Sequence, residues 1–190
     1  MKNVYLIFAL LFVEKCFAQI PIGFKAGVNL NQIVHRDMPS NIGEERKSYV
    51  TSYHVGIFTR LKLSEKFTFT PELQFVEKGG ELNSYNGLKI KLHYIELPLL
   101  VSYSPVKWLS IEGGWSIGLN IGNDGYADEL YTSTDIGALG GLRFNLTKKL
   151  SLLSRYYYGV APIEKFTLSF GDELKAYNEN LFFSVSYYLK

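Results

Sequence analysis

Apolar and polar residues alternate along most of the chain that follows residue 18. In one such segment the apolar residues Ile95, Leu97 and Leu99 are separated by Glu96 and Pro98. Because successive side chains of a β-strand point to opposite faces, this alternation predicts strands with one apolar and one polar face. The pattern predicts eight strands, at 22–30, 52–61, 67–75, 94–103, 109–120, 135–146, 150–158 and 180–189. No sustained 3.6-residue period is found, so the sequence predicts no helix here.

The lengths of the predicted strands and of their connections favour a membrane barrel. Strands of roughly nine to eleven residues are long enough to cross a bilayer at a tilt. The connections alternate between short turns at 62–66, 104–107 and 147–149 and long polar loops at 31–51, 78–90, 121–134 and 160–179. Outer-membrane barrels have short periplasmic turns and long extracellular loops. The sequence therefore predicts an all-β fold, an eight-stranded antiparallel up-and-down transmembrane β-barrel with both termini in the periplasm.

The charged residues well inside the predicted strands all fall on the polar face. They are Lys25, Arg60, Glu72, Glu96, Glu112, Arg143 and Arg155. If the apolar face contacts lipid, these side chains point into the barrel, since a Lys or Arg at the bilayer midplane costs about 2 to 4 kcal/mol. The interior of an eight-stranded barrel is just wide enough for side chains to fill. We interpret these residues as an inward charged network, either a salt-bridged structural plug or a conduit for protons or ions.

A water-soluble barrel of the lipocalin kind, with its apolar face inside, is the alternative. A solvated face would carry several Lys or Glu residues per strand, whereas the polar face here is rich in Gly and Ser. Tyr and Trp lie on the apolar face or at strand ends, as the aromatic girdles of membrane barrels do. The membrane interpretation is preferred, with outer-membrane lipid as the partner of the apolar face. Pro71 and Pro98 lie within strands and predict bulges or strand ends nearby.

Residues 1–18 have the features of a secretory signal peptide. A Lys precedes an apolar stretch from Val4 to Val13, and small residues at Cys16 and Ala18 predict cleavage after Ala18. We assign 1–18 to the signal peptide and 19–190 to one outer-membrane β-barrel domain, located in the cell outer membrane. The single cysteine, Cys16, would leave with the peptide, so no disulfide is expected. The formal net charge is +2 and no Lys/Arg cluster is dense, so we expect no nucleic-acid partner.

Candidate catalytic and metal-binding residues are few. His35, His54 and His93 lack the spacing of metal ligands, so no metal site is predicted. His54 and Ser52 lie close to the loop-side rim, where Asp135 also begins a strand, and a Ser-His-Asp hydrolase would need these side chains to converge. The alternative is that they are ordinary polar residues of the rim. Without a nucleotide-binding or Cys-x-x-Cys motif, we expect no cofactor, no catalytic residues and no enzymatic activity.

The long loops are where a protein partner would bind, because a rigid barrel can present them for recognition. The first loop carries both signs of charge between His35 and Lys47. In the fourth, the alternation of Phe166, Leu168 and Phe170 predicts an exposed β-rib above the membrane. These loops are either solvated or an adhesion surface. The partners considered are other envelope proteins, bound through the extracellular loops or the periplasmic turns.

Several short pieces of the sequence carry a family resemblance. They are GFKAGVN at 23–29, PELQF at 71–75, KGG at 78–80, YIELPLL at 94–100, GALGG at 137–141 and RYYYG at 155–159. With these pieces the chain resembles the PorT-type, or porin-family, outer-membrane β-barrel proteins of Bacteroidetes. It differs at the C-terminus, which ends on Lys190 rather than on an aromatic residue. The resemblance implies a Gram-negative outer-membrane barrel and membership of a secretion or surface complex, but no substrate.

The sequence is compatible with several functions. The leading hypothesis is a non-enzymatic integral outer-membrane protein with a structural or interaction role. A small-solute or ion channel is the alternative, although the bulky inward residues Phe58, Tyr94 and Leu100 would narrow its lumen. A loop-face enzyme and a soluble periplasmic barrel are less favoured.

Overall fold

The computed structural model describes residues 22–36, 49–82, 88–124, 132–167 and 173–189. The predicted signal peptide lies outside these residues, as do most of the first predicted loop and the tips of the other three. The described part of the chain contains ten strands: β1 (Ile22–Arg36), β2 (Val50–Thr59), β3 (Leu61–Lys62), β4 (Phe67–Leu82), β5 (Leu88–Val106), β6 (Leu109–Asp124), β7 (Thr134–Asn145), β8 (Leu150–Gly159), β9 (Glu164–Thr167) and β10 (Glu173–Tyr188). Within the described ranges no helix combines the length and the apolar content that crossing a membrane requires.

The strands form one closed antiparallel sheet. Successive wall strands pair with each other, and β10 returns to pair with β1 along a register that runs from Gly23↔Tyr188 to Arg36↔Lys175. β3 continues the course of β2 beside β4, and β9 follows β8 and pairs with β10, so the ten strands occupy eight positions in the wall. Closure pairs the backbone groups that hydrocarbon could not satisfy. The predicted eight-stranded up-and-down barrel is confirmed.

The two faces of the barrel wall have opposite polarity. The outer face carries large apolar side chains that are about half exposed, such as Phe24 at 51%, Val55 at 50% and Trp115 at 56%. Polar and charged side chains predominate among the described residues that are buried. A water-soluble barrel has the reverse arrangement. The outer face is therefore the lipid-facing surface of a membrane barrel.

The strands continue beyond the segments that the sequence predicted. The interval 78–90 was predicted to be a loop, but β4 extends to Leu82 and β5 begins at Leu88, so that prediction is wrong. In this upper part Val76 and Leu92 are fully buried, while Glu77 and Lys91 on the other strand face form an ion pair of 2.9 Å. The apolar residues thus change from the outer to the inner face where the strands leave the lipid. This change interrupts the alternation and conceals the strand extensions from a periodicity analysis.

The strand prolines lie at interruptions of the backbone pairing. Pro71 lies one residue from the β4 position that is opposite Arg60. Arg60 itself lies between the end of β2 and the start of β3. Pairing of β4 with β5 is also absent between Pro71 and Gln74, opposite Pro98, and it resumes in the same register. Because proline has no N–H to donate, these gaps accommodate both residues without a change of register.

Candidate functional site

The barrel interior contains two clusters of buried ionic side chains, which together form the candidate functional site. The first, here called the lower ion cluster, is nearer the periplasmic end and consists of Lys25, Glu72, Glu112, Arg143 and Arg155. Each of these residues is only 3 to 4% exposed. The strands β1, β4, β6, β7 and β8 supply one residue each. Inward positions on separate walls of a narrow barrel thus bring residues distant in sequence into contact.

Arg155 is the centre of the lower ion cluster. Its Nη1 and Nη2 each donate to one carboxylate oxygen of Glu72 at 2.9 Å, and its Nε donates to Glu112 Oε2 at 2.7 Å. Lys25 pairs with Glu72, and Arg143 pairs with Glu112. The bidentate bond to Glu72 is a strong form of charge-assisted hydrogen bonding. Every carboxylate of this cluster therefore contacts two cations.

The upper ion cluster lies on the loop side of the lower one. Its members are Gln74, Lys78, Glu96, Asp135, Tyr157 and Asn178. Lys78 pairs with Glu96, and its Nζ lies 2.9 Å from Asp135 Oδ2 and 3.4 Å from the Tyr157 ring centroid. Tyr157 Oη and Asn178 Nδ2 donate to Asp135 at 2.7 and 2.8 Å. Gln74 Nε2 donates to Glu96 Oε2 at 2.6 Å, so both carboxylates are held from more than one side.

The charges of the two clusters balance each other. The lower ion cluster has three cations and two carboxylates, and the upper ion cluster has one cation and two carboxylates. Their formal charges, +1 and −1, sum to zero. A buried charge excess would be costly in a low-dielectric interior, so the opposite net charges of the two clusters favour a filled lumen.

The inward charged network predicted from the sequence is divided among three places. Lys25, Glu72, Glu112, Arg143 and Arg155 form the lower ion cluster, Glu96 belongs to the upper one, and Arg60 belongs to neither. Arg60 lies at the periplasmic end of the lumen, between β2 and β3, with its guanidinium carbon 5.0 Å from the ring centroids of both Phe58 and Tyr188. Its Nη2 is 3.5 Å from Ser151 Oγ.

Two charged members of the upper ion cluster were missed by the sequence analysis. The sequence pattern places Lys78 in a predicted loop and Asp135 at the rim. Both are fully buried, at 1% and 0% exposure. The alternation of side chains along a strand could have identified them. Lys78 is on the same strand face as Glu72, and Asp135 is on the same face as Arg143.

The structure does not bring together the three residues of the hydrolase hypothesis. His54 Nδ1 lies 2.5 Å from Asn29 Oδ1, and His54 Nε2 lies 2.7 Å from Ser184 Oγ. Ser52 Oγ donates instead to a backbone carbonyl of β4, and Asp135 belongs to the upper ion cluster. His54 is 2% exposed, so its imidazole is enclosed in the barrel interior rather than presented at the rim.

Apolar side chains close the interior above the upper ion cluster. Val76, Leu92, Ile163 and Ala176 are at most 1% exposed and belong to one apolar cluster, against which Ile33 also packs. We call these five residues the apolar cap. Below the cap, a cavity beside the lower ion cluster has a volume of about 10 Å³. That volume holds about one water molecule, so side chains fill this part of the interior.

Within the described ranges, no three His, Cys, Asp or Glu side chains are grouped so that they could hold a metal ion. The buried carboxylates are directed at Lys, Arg, Tyr and amide groups of the two ion clusters. The expectation that the protein uses no metal or cofactor stays a prediction.

A polar group on the outer wall joins the first and last strands above the lipid-facing side chains. Arg36 Nη2 donates to Glu179 Oε1 at 2.9 Å, while Gln32 Nε2 and Tyr156 Oη donate to Glu179 Oε2 at 3.0 and 2.8 Å. We call these four residues the seam cluster. Burial alone would raise the pKa of Glu179, but the three hydrogen bonds and the Arg36 charge hold it below its usual range. The seam cluster therefore links β1, β8 and β10 most strongly when Glu179 is ionised.

The closed sheet, the lipid-facing apolar wall and the charged interior define an integral β-barrel protein of the outer membrane. Residues 17–165 match the outer membrane protein beta-barrel domain family, and the chain belongs to this family.

Solved structures show the same fold at low sequence identity. Neisserial surface protein A has a TM-score of 0.55 and 15% identity, over 87% of this chain and 96% of that chain. Ail, the attachment invasion locus protein of Yersinia pestis, has a TM-score of 0.51 and 10% identity, over 90% of this chain and 99% of that chain. Among the curated proteins no sequence matches. These similarities concern the fold alone.

Proposed function

We propose that this protein is a non-enzymatic outer-membrane scaffold with a lumen closed to solutes and a structural or interaction role. The observation that carries the proposal is the set of ion pairs that crosses the lumen in two layers. Arg155 on β8 binds both Glu72 on β4 and Glu112 on β6, and Lys78 on β4 binds Asp135 on β7. Side chains that join separate walls support a plug rather than an open path.

The energetics of the ion pairs support the same role. A permeating ion needs a continuous column of water, whereas the cavity beside the lower ion cluster holds about one molecule. Opening a path would separate buried charges from their partners, at a cost of about 3 to 5 kcal/mol for each broken pair. The apolar cap adds a second barrier, because dewetted apolar constrictions resist ion passage. A small-solute or ion channel, the alternative function, would require both features to rearrange.

Single-channel recording in planar lipid bilayers tests the closed lumen. The purified protein should give no steady conductance above that of the bare bilayer, while a general diffusion porin inserted into the same lipid gives clear steps. Insertion is checked separately by the heat-dependent shift of folded barrels on denaturing gels. Steady conductance steps that increase with the amount of inserted protein would contradict the closed scaffold and favour the channel.

We further propose that the chain is of the PorT type and acts within a secretion or surface complex. Support comes from the sequence pieces named above and from the strands that rise past the lipid as hairpins. β4 and β5 remain paired up to Leu82↔Leu88, and β9 pairs with β10 from Glu173↔Thr167 to Ala176↔Glu164. Such hairpins give the loops that they carry a rigid base for recognition.

Affinity purification from detergent-solubilised outer membrane tests the interaction role. Tagged protein should retain specific envelope proteins, and replacing residues 83–87 by a Gly-Ser turn should release those bound at the β4–β5 hairpin. The barrel itself should stay folded in this variant, because it keeps every residue of the β4–β5 pairing up to Leu82↔Leu88. If neither chain retains a partner from native membranes, the interaction role is refuted.

A further inference from the structure

The periplasmic turns of the barrel are strongly basic. Lys62 ends β3, and the turns at 63–66, 107–108 and 146–149 contain Lys66, Lys107, Lys148 and Lys149. All five lysines are exposed, and the only acidic residue of these segments is Glu65. We call these five lysines the periplasmic lysine rim. At the opposite end of the barrel, described charges of both signs are paired, as in the seam cluster and in the ion pair between β4 and β5. The two ends therefore present different electrostatic surfaces.

Two of the turns have the same construction, which places one lysine of each at an equivalent position. Ser64 Oγ accepts hydrogen bonds from the backbone N–H groups of Lys66 and of the residue that follows it. Thr147 Oγ1 accepts the same two bonds from Lys149 and its successor. These hydroxyl-capped turns fix the backbone beneath each lysine.

Backbone hydrogen bonds also join neighbouring turns. Ser104 N donates to Lys66 O, and Asn145 N donates to Trp108 O, both at 2.8 Å. Adjacent strands are about 4.8 Å apart, so successive turns, two strands apart, are separated by roughly 10 Å along the rim. The lysines consequently stand on three hydrogen-bonded connections along the periplasmic end of the barrel.

Each turn also exposes a large apolar side chain beside its lysines. Leu63 is 63% exposed, Trp108 is 58% exposed and Leu146 is 56% exposed. Apolar residues next to long cationic side chains are typical of the interface between hydrocarbon and headgroups, where the apolar part enters the lipid and the ammonium reaches the phosphates. A surface made only for a water-soluble acidic partner would have no need of these exposed leucines and tryptophan.

We infer that the periplasmic lysine rim binds anionic phospholipids, such as phosphatidylglycerol, in the periplasmic leaflet and prefers them to zwitterionic lipids. The ammonium groups would contact the headgroup phosphates, while Leu63, Trp108 and Leu146 enter the adjoining acyl layer. Juxtamembrane lysines gain from the negative potential of anionic lipid, and the effect weakens with added salt. The rim would thereby set the depth of the barrel and enrich anionic lipid around it.

Tryptophan quenching by brominated lipids tests this inference directly, since Trp108 lies within the rim and Trp115 lies on the lipid-facing wall. A Trp115→Phe variant leaves Trp108 as the reporter, in bilayers containing brominated phosphatidylglycerol or brominated phosphatidylcholine. We expect the relative association constant at Trp108 to favour phosphatidylglycerol by about threefold or more, and to approach unity in 0.5 M salt. The reciprocal Trp108→Phe variant, which reports from the wall, should show little preference.

Variants of the rim separate lysine-specific binding from a general property of the barrel. In the Trp115→Phe background, replacing all five lysines by glutamine should abolish the preference, and Lys107→Gln alone should reduce it if the quintuple variant fails to fold. Lys89→Gln, on the opposite rim, should leave the preference unchanged. Equal quenching by both lipids, or a preference that survives loss of the lysines, would overturn the inference. Lysine-dependent sedimentation with purified peptidoglycan, without lipid preference, would also overturn it and assign the rim to an anionic polymer.

Discussion

Arg155 makes three hydrogen bonds to two buried carboxylates, and each of those carboxylates also pairs with a second cation. The residues of the lower ion cluster therefore stabilise one another. Replacing one of them lowers the free energy of unfolding because its partners stay buried without a compensating charge. Arg60 has the same charge and a similar sequence environment, but its contacts are aromatic rings and one hydroxyl near the periplasmic end. Position in the lumen, not residue type, decides the importance of an inward arginine.

Arg155→Gln should lower the free energy of unfolding by about 3 to 5 kcal/mol, because Glu72 and Glu112 lose their shared partner in a buried site. Arg60→Gln, the matched control, should change it by about 1 kcal/mol or less. Urea unfolding in lipid vesicles, followed by tryptophan fluorescence, measures both values. Equal effects of the two substitutions would refute the central role of Arg155.

Adjacent glycines of β6 face opposite sides of the wall and should respond differently to a methyl group. A Cβ at Gly114 would lie 2.0 Å from the Leu99 carbonyl oxygen, whereas a Cβ at Gly113 would have its nearest neighbour, the Leu139 carbonyl oxygen, at 3.9 Å. Gly114→Ala should therefore destabilise the barrel by about 1 to 3 kcal/mol. Gly113→Ala should be neutral or slightly stabilising. The same unfolding measurement tests both substitutions. A clear loss of stability in Gly113→Ala would contradict the outward orientation of that position.

At the scale of strands, periodicity identified the part of each wall strand that faces lipid. It missed the upper parts because the apolar residues Val76 and Leu92 point inward, while Glu77 and Lys91 form an ion pair on the other strand face. The environment outside the wall changes from lipid to water at this height, so the preferred polarity of each face changes as well. A single alternation rule therefore holds only within one environment.

The seam between β1 and β10 should lose stability in acid. The pKa of Glu179 is below its usual range in the folded protein, so its contribution is complete above the unfolded value near 4.3 and is lost as the pH falls further. The melting temperature of the wild type should exceed that of Glu179→Gln by a constant amount above about pH 5, and the difference should shrink towards pH 3. Gel-shift melting curves between pH 3 and 7 measure this. A difference that grows on acidification would contradict the role of the ionised carboxylate.

At the scale of the whole molecule, the bilayer is the solvent of the outer wall and makes the cost of a charge depend on depth. Leu97→Arg, on the lipid-facing part of β5, should destabilise the barrel in vesicles by about 2 to 4 kcal/mol. Leu63→Arg, in a periplasmic turn, should cost about 0 to 1 kcal/mol. Both side chains are exposed, at 44% and 63%, so a water-soluble barrel would tolerate them equally. Equal costs in vesicles would therefore refute the lipid-facing assignment.

The sequence by itself determined the strand count, the closed antiparallel fold and the face on which each inward charge lies, because side-chain alternation is a local property of a strand that repeats every two residues. The tertiary structure decided which charges meet. Arg155 reaches Glu72 across the lumen, and Lys78 joins Glu96 and Asp135, only because closure and register set the diameter of the barrel and the relative heights of its walls. The barrel diameter and the relative strand heights depend on all the strands together, so no single segment of the sequence determines them.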